Sequence, residues 1–94
     1  MSNKELLQNF REQIDSLDAE ILYLLFRRFT LVWEIWKIKK QENIPALQED
    51  RWKHVINEKI EIWSEFGLDK EFIEDIWNRI HKEALKIENK ALQN

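Results

Sequence analysis

Arg28 stands where a nonpolar residue is due. Apolar side chains recur at Leu7, Phe10, Ile14, Leu17, Ile21, Leu24, Leu31, Ile35 and Ile38, in the steps of three and four that mark one face of a helix, and the missing member is Arg28. Arg27 falls beside that row and reads as a solvated side chain. A guanidinium on a face destined for burial is costly without a partner. Two arrangements meet that cost: an ion pair with a carboxylate of another helix, or an anion site inside a helical bundle. Lys39 follows eleven residues later, close to three whole turns, so the two cations face the same way, ~16 Å apart along the axis. Two long side chains leaning together would leave a gap suited to one small polyanion, and Arg51, past a short connection, could close its end. Arg11 also lies near the row, but ~25 Å from Arg28 on the same helix. It can share a small ligand with Arg28 only if the other chain of an antiparallel dimer supplies it. Glu88, one turn after Ala84, offers either the ion-pair partner or a proton donor for the same ligand.

Other chemistries lack their residues. Two histidines and no cysteine make no zinc site of familiar spacing. No Ser-His-Asp order, glycine-rich phosphate loop or G-x-S-x-G turn occurs. No metal or cofactor is implied, and catalysis here would have to use cations, hydrogen bonds and shape. The net charge of −3 gives no general pull toward nucleic acid or an anionic membrane. The lack of cysteine fits a reducing compartment, and no apolar run has signal-peptide or membrane-spanning character, so the sequence reads as soluble and cytoplasmic.

The elements that must position these residues are helices. The 94 residues suit one small domain, 1–94, and hold a single Gly and a single Pro, so long uninterrupted elements are expected. A first helix is expected from Ser2 to Glu42, opened by the S-x-x-E capping spacing of Ser2 and Glu5 and stopped ahead of Pro45. A second is expected from Gln48 to Phe66, with Trp52, Val55, Ile56, Lys59, Trp63 and Phe66 on one face and Gly67 as its stop. Asp69 reads as the N-cap of a third helix, with Leu68 and Ile73 spaced for a hydrophobic staple. Its row is Ile73, Trp77, Ile80, Ala84, Ile87 and Ala91. Forty helical residues span ~60 Å, whereas a compact domain of this size is roughly 30 Å across. The first helix would therefore carry an apolar row beyond its own domain, and a symmetric dimer is the commonest way to cover it. A long coiled-coil hairpin is the other.

This combination resembles the all-helical class of chorismate mutases. The resemblance covers nearly the whole chain and is carried by FREQIDSLDAEILYLLFRR, KIKKQENIPALQEDR and EALKIENKAL, the first being the most specific. It implies an intertwined homodimer of three-helix chains with two equivalent sites, each built largely by one chain. Arg11 matches the arginine that reaches into the partner's site, and Arg28, Lys39 and Arg51 match the three other cationic positions. Glu88 takes the place of a Gln or Glu that hydrogen-bonds an ether oxygen. The implied reaction is the rearrangement of chorismate, a small dicarboxylate, to prephenate in aromatic amino acid biosynthesis. Arg11 and Arg28 are then expected on the two carboxylates, Lys39 and Glu88 on the ether oxygen, and Arg51 along the pocket.

Three positions depart from the family pattern. Asp and Glu near the ring hydroxyl are replaced by Gln48 and Trp52, and an expected Ser is Ala84. The cationic frame is kept while the side that meets the ring substituent is altered. The chain is therefore either a chorismate mutase with a divergent pocket wall or an enzyme for a related substrate, as in isochorismate-pyruvate lyase or 4-amino-4-deoxychorismate mutase. A non-catalytic helical dimerisation module is the third possibility.

Overall fold

The computed structural model describes the backbone of residues 1–92 and the side chains of residues 1–89. It is all-α among the described residues, with three helices in the expected order: α1 (Asn3–Glu42), α2 (Glu49–Ser64) and α3 (Lys70–Leu92). None of these is long and apolar enough to cross a membrane.

Each helix end has a local cause. The Glu5 amide donates to Ser2 Oγ at 3.1 Å, one arm of the expected capping box. α1 closes through Asn43, which adopts the left-handed conformation (φ 55°) while the Ile44 amide reaches back to the Lys39 carbonyl at 2.8 Å. Asparagine is the side chain, after glycine, that most readily accepts this conformation. Pro45 then keeps the chain from continuing as helix. α2 ends in a Schellman closure: Gly67 is left-handed (φ 79°), its amide donates to the Ser64 carbonyl, and the Leu68 amide donates to the Trp63 carbonyl. Asp69 caps α3 as expected, accepting from the Phe72 amide at 3.3 Å.

The chain divides into two compact units, Met1–Leu31 and Val32–Asn94. The first is a single stretch of α1. Its apolar row, from Leu7 through Leu24, is exposed, while Arg28 is half-buried and Arg27 exposed.

The second unit holds the end of α1 with α2 and α3. Here one expectation needs correcting. Leu31 at the close of the first unit, and Ile35 and Ile38 in the second, are exposed, and the covered positions of α1 in the second unit are Val32, Trp36 and Lys39. The helix carries two apolar rows, and this unit covers the one that the regular spacing did not select. The α2 face is covered at Trp52, Val55, Ile56, Lys59 and Ile60, but Trp63 and Phe66 are exposed and lie against each other, centroids 5.6 Å apart. The α3 row is covered as expected from Ile73, which is 2% exposed, through Trp77, Ile80, Ala84 and Ile87. Ala91, the last expected member, lies outside the described side chains.

Candidate active site

The last turn of α1 sets the first group of the site. Lys39 is there because the helix runs on to Glu42, and its ammonium turns toward the connection that follows. Nζ donates to the Ala46 carbonyl at 2.7 Å and lies 3.4 Å from Glu88 Oε1 on α3. Lysine thus ties together the end of α1, the 43–48 connection and α3. Glu88 is the buried charged residue of this unit, 5% exposed. Its Oε1 faces Lys39, whereas Oε2 is buried with no hydrogen-bond partner among the described residues.

That arrangement has chemical consequences. An ammonium carries three donors, and the carbonyl and the carboxyl take two. A buried carboxyl oxygen without a partner is costly in the free protein and is satisfied when a ligand atom or a shared proton reaches it. The pair is therefore poised to meet one more polar atom. As a purely structural ion pair it would be incomplete. Removing either member would leave the other buried alone, a loss of about 3–5 kcal/mol for a buried pair.

The first turn of α2 brings three more of the expected residues. Gln48 is the N-cap by position, yet its side chain makes no capping hydrogen bond. Arg51 is exposed, and Trp52 is half-buried. Trp52 lies flat on His81 of α3, centroids 4.0 Å apart and planes within 13°. Ala84, buried, follows His81 by one turn and precedes Glu88 by one. The sequence reading weighed His81 only as a zinc ligand and missed its place here. The available signal was its spacing: His81 and Glu88 are seven residues apart, two turns, on one face of α3.

Arg11 and Arg28 belong to the other unit, where Arg11 is exposed and Arg28 half-buried. Of the two roles set out for Glu88, partner of a cation and donor to a ligand, the first is realised with Lys39.

Comparison with known proteins bears on the whole of this span. Residues 10–89 match the family model described as chorismate mutase type II, a stretch that contains every expected site residue from Arg11 to Glu88. The chain belongs to the type II chorismate mutase family. Within it, the chain is 32% identical to a T-protein of Haemophilus influenzae over 95% of its own length and 24% of the relative's. It is 30% identical to a T-protein of Enterobacter agglomerans over 88% of its length and 22% of that protein. A 4-amino-4-deoxychorismate mutase of Streptomyces venezuelae is 27% identical over 95% of this chain and 86% of that one. The chain thus spans about a quarter of the length of the T-proteins it matches. No solved structure matches it.

Proposed function

We propose that the chain is a chorismate mutase, rearranging chorismate to prephenate in a site shared between two copies. The observation that carries this reading is the buried Lys39–Glu88 pair with its unpartnered carboxyl oxygen, in a chain of this family.

The rearrangement is an intramolecular Claisen step: one C–O bond breaks, one C–C bond forms, and no nucleophile or proton acceptor is consumed. Its barrier falls when a flexible dicarboxylate is held folded with the reacting carbons in contact. It falls further when donors meet the ether oxygen, where negative charge grows as the C–O bond lengthens. Lys39 supplies one such donor, and Glu88, when protonated, supplies the second through the oxygen that has no partner. Arg28 of the same chain and Arg11 of a second chain hold the two carboxylates, and Arg51 lines the pocket. The exposed apolar row of residues 7–24 supports a second copy packed along it. A cytoplasmic setting fits a chain without cysteine.

A related substrate is the second reading. It is favoured by Gln48, Trp52 and Ala84 and by the likeness to a 4-amino-4-deoxychorismate mutase. Incubation with chorismate, isochorismate and 4-amino-4-deoxychorismate in separate reactions decides between the readings. Chorismate should disappear fastest, into prephenate. A bicyclic dicarboxylate that mimics the transition state should also raise the melting temperature, since it binds the folded protein alone. No turnover of any of the three and an unchanged melting temperature would leave a dimerisation module.

A further inference from the structure

Lys39 is tied twice to the connection that follows α1. Its backbone carbonyl accepts from the Ile44 amide at 2.8 Å, and its ammonium donates to the Ala46 carbonyl at 2.7 Å. The ammonium also lies 3.4 Å from Glu88 Oε1, so the hold on Ala46 helps to set where its remaining donors point. A carbonyl seven residues on can return to this lysine only because the chain reverses directly after the helix. Asn43 makes that reversal, at φ 55°. Its neighbours leave little freedom: Pro45 has a fixed φ and keeps Ile44 out of the helical region. Asn43 is itself exposed, so a substitution there changes the backbone preference and little packing.

We infer that Asn43 is a positioning residue for the rearrangement: by holding the left-handed turn it delivers the Ala46 carbonyl to Lys39 and so fixes the ammonium beside Glu88. The inference rests on the mutase reading above. The left-handed region is open to glycine and accepted by asparagine, but a side chain branched at Cβ is strained there. Such a side chain at position 43 favours another path for the connection, one in which the Ala46 carbonyl no longer meets Nζ. Lys39 then keeps its charge and loses its fixed aim, and a donor stabilises developing charge best when its aim is set before the reaction. The loss falls on the transition state, because negative charge appears on the ether oxygen only as the C–O bond breaks, while the arginines still hold the carboxylates.

The test measures kcat and KM for chorismate, with helical circular dichroism, for the wild type, Asn43→Gly, Asn43→Ala and Asn43→Val. Asn43→Gly should stay within about 2-fold of the wild type, since glycine adopts this conformation freely. Asn43→Val should lower kcat at least ~10-fold with KM little changed, as a misplaced catalytic group does, and Asn43→Ala should fall between the two. Gly67→Ala, which puts a side chain on the left-handed residue of the other connection, is the control: it should lose stability without losing kcat. Should Asn43→Val lose its helices, the comparison of Asn43→Ala with Asn43→Gly carries the same test. An unchanged kcat in the folded Ala and Val variants, a change confined to KM, or a Gly variant as impaired as these overturns this inference and leaves the mutase reading standing. No turnover of chorismate by the wild type overturns both.

Discussion

A carboxyl group serves an ether oxygen only while it carries its proton. Ionised, it has nothing to donate and repels the charge that grows as the bond breaks. Glu88 therefore makes a prediction. If it is the donor, Glu88→Gln, a permanent amide donor of nearly the same shape, keeps activity, and steady-state kinetics on both proteins check it. A dead Gln variant that keeps its helical circular dichroism would mean that Glu88 works as an anion or only holds Lys39. At this scale the sequence was informative about positions and silent about contacts. The eleven-residue step from Arg28 to Lys39 and the one-turn step from Ala84 to Glu88 pointed to both residues, but which cation Glu88 meets depends on how the end of α1 and α3 dock. The Trp52–His81 stack was hidden for the same reason: neither residue's own helix says that the other will face it.

The helix ends were largely legible, because caps are local chemistry. Asp69 and Gly67 each act within a few residues of themselves, and both did what their types demand. Gly67→Ala should cost about 1 kcal/mol, since a Cβ at φ 79° is strained although it would meet nothing within 4 Å. Asp69→Ala should cost about 1 kcal/mol through the lost bond to the Phe72 amide. Thermal unfolding at one fixed protein concentration measures both, and neither should change kcat. The end of α1 was read from Pro45, whereas the residue that turns the chain is Asn43. A left-handed asparagine has no pattern of its own and competes with every other role of that side chain. The faces of α1 were the hardest part, because apolar residues surround much of the helix. Periodicity found the row Leu31, Ile35 and Ile38, and packing covered Val32, Trp36 and Lys39 instead.

At the scale of the whole molecule, that uncovered row is the argument for a second copy. Phe10, Ile14, Leu17, Ile21 and Leu24 are each 55–57% exposed, more apolar surface in one line than a stable soluble chain leaves to water. Sedimentation at low micromolar concentration should give twice the chain mass. A compact monomer would sink the shared site, since Arg11 lies too far along α1 to join Arg28 of its own chain on one small ligand. A mixing experiment tests the sharing itself. Arg28→Ala should lower activity at least ~100-fold, the loss expected for a preorganised charged donor, and Arg11→Ala should be similarly impaired, each keeping its helical circular dichroism. Dissociated and reassembled together, the two variants form heterodimers in which one site takes Arg28 from the Arg11→Ala chain and Arg11 from the Arg28→Ala chain. That site carries neither lesion, while the other carries both. Random pairing of equal amounts makes half of the dimers mixed, so about a quarter of all sites should be intact and about a quarter of wild-type activity should return. Recovery near that level requires that the two arginines of a working site come from different chains. If the mixture is no more active than its components, although mass measurement shows that heterodimers have formed, each site is built within one chain or one of the two arginines has no place in it.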